Sequence, residues 1–135
     1  VVCLARTAAL RLVGMSLTTD ATIWLKLGAI SGALAVAMGA FGAHSLKSRT
    51  QDPYMLKTWD TAAQYHMMHS IALCLVTLSP RHPSIAGYFF AGGIFLFSGS
   101  LYALVLSQVK ALGAITPIGG MCFILGWLAL AVWGA

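Results

Sequence analysis

The stretch AAQYHMMHSIAL, residues 62–73, places His66 and His69 three positions apart in an otherwise apolar part of the chain. Side chains three or four positions apart share one face of a helix, so Tyr65 lies on the same face as His69. We call Gln64, Tyr65, His66 and His69 the histidine patch. An imidazole can ligate a metal ion or a haem iron, transfer a proton, or hydrogen-bond to a neighbouring helix. The patch could do any of these.

A metal site would need more ligands than the patch offers. His44 lies near the end of the preceding apolar segment, and because the chain then turns back we expect His44 at a depth similar to that of the patch. Zinc takes three or four protein ligands, but no thiol or carboxylate joins His44, His66 and His69, since Asp60 is about two helical turns from His69. Haem would need axial ligands from facing helices, and no histidine follows His82. We therefore expect neither metal nor haem at His66 and His69.

Two uses of the histidine patch remain open. Polar groups inside a membrane bundle face its interior and pair there. The patch can therefore form a structural network with hydroxyl groups of a facing helix, for which the candidates are Ser98, Ser100 and Tyr102. Alternatively, it can hold a lipid headgroup or a quinone, or conduct a proton. The residue types favour the structural network.

The remaining reactive side chains give little support for catalysis. The three acidic residues, Asp20, Asp52 and Asp60, lie near predicted helix starts, where carboxylates act as caps or partners of the helix dipole. Ser70 follows His69 directly, but no third group is evident that would orient the pair for nucleophilic attack. The glycines lie within apolar segments and form no phosphate-binding loop. We expect that the protein is not an enzyme.

The composition indicates that the solvent of this chain is a bilayer. Of the 135 residues, 59% are hydrophobic and 8% are charged, against about 25% charged in a typical soluble domain. The net charge of +5 is spread through short connectors without forming a basic face, so we expect no binding to nucleic acid. The basic residues are better explained as topology signals and as contacts for anionic lipids such as cardiolipin. The three cysteines include no CxxC pair, which gives no indication of a zinc or redox site.

Four apolar segments must position the patch, and we predict an all-α integral membrane protein. About 20 helical residues cross the hydrocarbon core, and short connectors favour antiparallel neighbours in an up-down bundle of four transmembrane helices. The dipeptides Asp52-Pro53 and Thr116-Pro117 are signals for helix starts. Within a transmembrane domain of residues 23–135, the predicted helices cover residues 23–46, 53–79, 85–107 and 116–134.

Residues 1–22 form an N-terminal tail that is too short and too polar for a fifth helix across the membrane. The tail carries two arginines, several hydroxyl residues and no acidic residue before Asp20, a composition typical of mitochondrial targeting peptides. The alternatives are an ordinary polar tail, or sequence upstream of a start at Met15.

Small residues recur along three of the four predicted helices. Helices in lipid gain little from hydrophobic burial against one another, so close approach through small residues determines how they pack. Such a pattern serves either a compact bundle or an interface between subunits. The predicted packing positions are Gly28, Gly32, Gly39, Gly92, Gly99, Gly119 and Gly126.

Five short motifs occur in an order and spacing that resemble one family. They are GAFGAH at 39–44, AQYHMMHSIAL at 63–73, LFSGSLY at 96–102, TPIGG at 116–120 and GW at 126–127. Together they resemble the transmembrane protein 256 family, also called domain of unknown function 423, from about Leu25 to the C-terminus. That family includes small bacterial inner-membrane proteins and a mitochondrial branch in eukaryotes. His66 and the ending close behind GWLALA are similar to the mitochondrial branch, whereas the long segment before Met15 departs from the pattern. The resemblance implies a fold and a membrane, and it implies no reaction.

These observations lead to two functional hypotheses. The first is a non-catalytic accessory subunit or assembly factor of a larger inner-membrane complex, most directly in the mitochondrial respiratory chain, with other membrane subunits and lipids as partners. It rests on the small size, the glycine faces and the composition of the tail. The second is a small carrier or binding module for a lipid, a quinone or a proton, centred on His44, Tyr65 and His69. The expected location is the mitochondrial inner membrane, with the bacterial inner membrane as the alternative.

Overall fold

The computed structural model describes residues 19–79 and 83–133, and all of their regular secondary structure is helical. The expected all-α architecture with four long helices is confirmed. The proposed targeting segment and Met15 lie outside the described residues, as does His82.

Four helices follow one another along the chain, separated by short connectors. Their bounds are α1, Thr19–Phe41 continuing through Lys47–Arg49; α2, Pro53–Leu75; α3, Pro83–Gly93 continuing through Gly99–Ser107; and α4, Thr116–Trp133. A π-helical turn interrupts α1 at Gly42–Leu46 and α3 at Ile94–Ser98, and 3-10 turns follow at Val76–Leu78 and Lys110–Ala114.

Local chemistry determines where α2 begins and where α3 ends. Asp52 has an extended backbone, and its carboxylate accepts a hydrogen bond of 2.9 Å from the backbone N–H of Tyr54, while Pro53 occupies the first helical position. This satisfies a donor that the first turn of a helix leaves free. At the end of α3, Gln108 has a left-handed backbone with φ of 60°, which stops the helix and starts the connector to α4.

Consecutive helices pack in antiparallel pairs. Along the seam between α1 and α2, Gly28 faces Cys74 whereas Gly42 faces Trp59, so positions rise on one helix as they fall on the other. The Trp59 indole N–H also donates a 2.7 Å hydrogen bond to the backbone carbonyl of Met38. The same relation joins α3 to α4, where Gly93 contacts the ring of Phe123, and Gly119 lies against the backbone of residues 96–97.

Two hydrophobic clusters form the core, and a polar layer lies between them. One cluster contains Leu73 of α2 and Val76 directly after it, and the other contains Met55 and Trp59 of α2. The buried polar residues His66, His69 and Ser70 lie between these positions. On α3, Ser98 and Ser100 are buried between Phe90 of the first cluster and Leu104 of the second. His66 and His69 of the histidine patch are therefore part of a layer at mid-height of the bundle.

Three helical spans of the described residues are long and apolar enough to cross a membrane, namely Thr22–Arg49, Ser84–Ser107 and Lys110–Trp133. The outer surface is correspondingly apolar, with Phe95 78% exposed and Val132 67% exposed. Helix α2 is not among the three, because it carries Lys57, Asp60 and the polar residues of the central layer. Of its polar residues, His66, His69 and Ser70 are buried inside the bundle, whereas Lys57 and Asp60 are exposed.

The predicted glycine positions divide into two groups. Three lie in tight contacts between helices: a Cβ atom at Gly28 would be 2.9 Å from the backbone N of Cys74, one at Gly119 would be 2.8 Å from the backbone of Leu96, and one at Gly126 would be 2.7 Å from the ring of Phe90. The others are open or only loosely contacted from outside their own helix, and these are Gly32, Gly39, Gly92 and Gly99. The first group packs the bundle, and the second leaves space on its surface.

Candidate functional site

His66 is the centre of a hydrogen-bonded network that joins α1, α2 and α3. Its Nε2 lies 3.1 Å from Oγ of Ser31 on α1, and its Nδ1 lies 3.4 Å from the hydroxyl oxygen of Tyr102 on α3. Ser31 Oγ is also 2.7 Å from Oγ of Ser70, whose hydroxyl donates to the backbone carbonyl of His66 at 2.7 Å. One buried imidazole therefore connects three helices.

The positions of the protons in this network follow from the Ser70 hydroxyl, because its acceptor is a backbone carbonyl. A carbonyl oxygen can only accept, so Ser70 uses its proton on the carbonyl of His66, and Ser31 must donate to Ser70. Ser31 then accepts from Nε2–H of His66, which leaves Nδ1 as the acceptor for the Tyr102 hydroxyl. The neutral imidazole with its proton on Nε2 satisfies every group, which avoids the cost of burying a charge.

His69 is satisfied by the opposite tautomer. Its Nδ1 lies 2.8 Å from the backbone carbonyl of Tyr65, so Nδ1 carries the proton, and its Nε2 accepts from the indole N–H of Trp127 on α4 at 3.3 Å. The imidazole stacks on the ring of Phe123 with 3.4 Å between centroids and 9° between planes, and it is only 3% exposed. His69 thus connects α2 to α4.

The other predicted residues lie in different places. Tyr65 is partly exposed and stacks on Phe97 of α3 at 4.6 Å. Gln64 is exposed and lines a groove between α1 and α2. Of the candidate hydroxyl partners, Tyr102 joins the network as expected, whereas Ser100 pairs with Thr116 of α4 at 3.0 Å.

The expected common depth of His44 and the patch is wrong. The seam between α1 and α2 places Ser31 beside His66, and His44 lies 13 residues further along α1, a rise of about 20 Å. His44 is exposed within the π-helical turn Gly42–Leu46. The reason is that His44 lies five residues before the end of α1 at Arg49, whereas His66 lies 13 residues after the start of α2 at Pro53, so the turn between the helices leaves them at different depths.

Three partners of the two histidines are not predicted by the residue pattern, namely Ser31, Ser70 and Trp127. The available signal for Ser31 is its position three residues after Gly28, among the small residues of α1. Trp127 lies four positions after Phe123, a spacing that places both aromatic rings on one helical face. Neither signal identifies the helix that supplies the partner.

A groove on the outer seam of α1 and α2 is the second feature of note, and we call it the α1/α2 groove. Its volume is about 640 Å³, and its walls are small or apolar side chains such as Ala35 and Met68 around the open position Gly39. Asp60 and Gln64 supply its polar atoms. Asp60 is exposed, and we find no ion pair to its carboxylate among the side chains that the structure describes.

The chain matches one known protein family over more than half of its length. The family model described as "Protein of unknown function (DUF423)" matches residues 38–120, more than half of the chain. The chain belongs to the DUF423 family.

Members of the DUF423 family from distant organisms are similar to this chain over most of its length. A UPF0382 membrane protein of Staphylococcus aureus (strain bovine RF122 / ET3-1) is 46% identical over 114 residues, which cover 82% of this chain and 93% of the relative. YwdK of Bacillus subtilis, also a UPF0382 membrane protein, is 46% identical over 116 residues, 82% and 94% of the two chains. A UPF0382 membrane protein of Schizosaccharomyces pombe is 42% identical over 118 residues, 82% and 99%. No solved structure matches the chain.

The match confirms the resemblance to DUF423 and the assignment to a membrane, since these relatives are named membrane proteins. The matched residues 38–120 contain the whole histidine patch together with Ser98 and Tyr102, whereas Ser31 and Trp127 lie outside them. Within the DUF423 segment, α2 and α3 thus carry most of the polar layer.

Proposed function

We propose that this DUF423 protein is a non-catalytic accessory subunit or assembly factor of a multi-subunit membrane complex, which it enters through the α1/α2 groove. The observation that carries this proposal is the exposed Asp60 carboxylate in a groove whose walls, apart from Gln64, are small or apolar. Ionisable groups at membrane depth pair with a partner or face water. A carboxylate without an ion-pair partner in the described residues therefore favours a partner in another chain.

In this proposal all four helices cross the membrane, including the polar helix α2. The support for this is that α2 buries its histidines against the three more apolar helices, so that its polar atoms pair within the bundle. Lys57 and Asp60 lie in its first two turns, where Asp60 is about 10 Å from the helix start and long side chains can reach the interface.

The partner that fits the groove is a transmembrane helix of another subunit. A small residue on that helix would lie against Gly39, since nothing within 4 Å would meet a Cβ there, and close approach of backbones is how helices associate in lipid. A lysine or arginine at the level of Asp60 would supply the missing charge. Gln64, one helical turn further on, offers an amide to a backbone or hydroxyl group.

The location that we propose is the mitochondrial inner membrane, and the complex one of the respiratory chain. Relatives in bacteria and in fission yeast are compatible with a protein of bacterial origin retained in that membrane, and the bacterial inner membrane is the alternative. Anionic lipids such as cardiolipin are proposed as further partners, because exposed basic side chains flank the membrane-spanning segments at Lys47, Arg49, Lys57 and Lys110.

We propose no metal, haem or other cofactor, since both histidines of α2 have their ring nitrogens engaged. The same engagement weighs against a carrier centred on His44, Tyr65 and His69.

The test is the native mass of the full chain after extraction from its own membrane in mild detergent, with the co-migrating proteins identified. We expect the wild-type protein to migrate with larger membrane subunits, and Gly39→Leu to release it, because leucine fills the groove without a clash inside the bundle. Gly92→Leu is the matched control, since Gly92 is equally open but lies on α3. It should leave the complex intact.

Charge reversal makes the test specific. Asp60→Lys should release the protein, and replacing the facing basic residue of the identified partner by aspartate should restore binding. If wild-type protein migrates as a monomer or small homo-oligomer, or if Gly39→Leu and Asp60→Lys both retain the complex, the accessory role is wrong.

A further inference from the structure

A separate groove opens between α1 and α3, on a different side of α1 from the α1/α2 groove. We call it the α1/α3 groove. Its volume is about 380 Å³, within the range of about 300–1,000 Å³ that is typical of small-molecule sites. Apolar side chains such as Leu27, Leu34 and Phe95 form its walls, and its polar lining comes from Ser31, His66, Ser98 and Tyr102.

Ser98 is the unusual group in this groove. Its side chain is 1% exposed, and its hydroxyl oxygen has no hydrogen-bond partner in the part of the chain that the structure describes. Two other buried serines donate back to a carbonyl of their own helix, Ser70 to His66 and Ser100 to Phe97. A buried hydroxyl without a partner is destabilising, and such groups in native proteins call for an explanation.

The backbone around Ser98 supports a binding role. Ser98 ends the π-helical turn Ile94–Ser98, and such turns within α-helices occur frequently at functional sites. No proline causes this turn. Gly99, the next residue, also lines the groove, and a Cβ there would meet only the carbonyl oxygen of Ile94 in its own helix, at 4.0 Å.

The groove offers one hydrogen-bond donor and one acceptor to a ligand. Ser98 has a free O–H, and it lies four positions before Tyr102, on the same face of α3. Tyr102 uses its proton on Nδ1 of His66, so its oxygen can still accept. The lining residues include no Lys, Arg, Asp or Glu, and the neutral His66 adds no charge. A phosphate or a carboxylate would find no counter-charge here.

We propose that the α1/α3 groove binds a neutral amphiphile through a carbonyl or hydroxyl oxygen that accepts a hydrogen bond from Ser98. A ligand hydroxyl would in addition donate to the Tyr102 oxygen, and the apolar part would lie along Leu27 and Leu34 towards the lipid. This chemistry is shared by isoprenoid quinones and by neutral acylglycerols. The proposal does not depend on the α1/α2 groove or on the accessory role.

The test uses the purified full chain in detergent with two probes, decyl-ubiquinone and dioctanoylglycerol, and native mass spectrometry to measure the fraction of protein that carries one probe molecule. We expect a saturable one-to-one adduct with one of the two. Ser98→Ala should weaken binding about tenfold through loss of its hydrogen bond, and Gly99→Leu should abolish it by filling the groove. Ser100→Ala is the matched control, because Ser100 is a buried serine of the same helix that pairs with Thr116 instead. It should bind as the wild type does.

The variants remain interpretable if folding is monitored in the same samples. Removing a hydroxyl that has no partner should leave the thermal midpoint of Ser98→Ala unchanged or higher. An adduct with decyl-ubiquinone alone identifies quinone chemistry, and one with dioctanoylglycerol alone identifies glycerolipid chemistry. Absence of a saturable adduct with either probe, or equal binding by Ser98→Ala and wild type, would overturn the proposal.

Discussion

The two histidines of α2 solve the same problem with opposite tautomers. His66 donates through Nε2 to Ser31, whereas His69 donates through Nδ1 to a backbone carbonyl and accepts from Trp127. Each ring is therefore neutral and fully paired, as buried polar groups in folded proteins generally are. Their spacing of three, which raised the question of a metal or haem, lets one helix reach α1 and α3 with the first ring and α4 with the second.

His69 provides the sharpest test at the scale of one residue. His69→Phe keeps a planar ring on Phe123 and loses two hydrogen bonds, each worth about 0.6 kcal/mol on average inside membrane proteins, so we expect a loss of about 1 kcal/mol in the free energy of unfolding. His69→Ala leaves a cavity between α2 and α4 and should cost about 2 kcal/mol or more. Unfolding in mixed detergent and SDS measures both. Equal losses for the two variants would show that the ring nitrogens, rather than packing, set the stability.

Residue types alone predicted that the patch would pair inside the bundle, and also that Tyr102 was a candidate partner. They could not predict Ser31, because a serine in a stripe of small residues has the same signature whether it packs or hydrogen-bonds. The order of protons around His66 depends on the single bond from Ser70 to the His66 carbonyl, which no spacing in the sequence reveals.

At the scale of the helices, α2 is the polar element around which the others are arranged. With 23 residues it is long enough to cross a membrane, but among the described helices it is the long one that is not apolar enough to do so by composition. His69 and Ser70 are nevertheless among its most buried side chains. The seam with α1 brings the backbones close, since Gly28 faces the backbone of α2 at Ser70 and Cys74. Close backbone packing and polar pairing thus occur along the same seam.

The two glycines of the GxxxG sequence in α1 should respond differently to substitution. A Cβ at Gly28 would lie 2.9 Å from both the Cys74 nitrogen and the Ser70 carbonyl oxygen, whereas at Gly32 the contact would be 3.8 Å to the Ser70 Cβ. Gly28→Ala must separate the backbones and should cost about 1–3 kcal/mol of unfolding free energy. Gly32→Ala should be neutral, since alanine is the better helix former. The thermal midpoints of both variants in one detergent measure the difference, and a neutral Gly28→Ala would contradict the seam.

The helices could be located from hydrophobic runs and from Asp52-Pro53, because these are local signals. The π-helical turns at 42–46 and 94–98 could not, since neither segment contains a proline that would mark a break. Where α1 ends and how it registers with α2 depend on contacts such as Trp59 against Gly42, which join residues far apart in sequence.

At the scale of the whole molecule, the account depends on α2 crossing the membrane inside the bundle. Two apolar clusters lie above and below a polar layer, an apolar outer surface faces lipid, and the two grooves open on different sides of α1. If α2 instead lay along the membrane surface, its polar layer would face water or headgroups, and neither groove would be at the depth that the proposals require.

Counting the crossings tests this most directly. The test uses a background in which Cys3, Cys74 and Cys122 are replaced by alanine. Two variants each add a single cysteine: Ser48→Cys, before the α1–α2 connector, and Lys110→Cys, in the α3–α4 connector. Ser48 and Lys110 are both exposed. A membrane-impermeant thiol reagent is then applied to sealed vesicles of one orientation. Four crossings put both positions on the same side, so both cysteines should be labelled or both protected. Labelling of one and protection of the other would mean three crossings and would contradict the account.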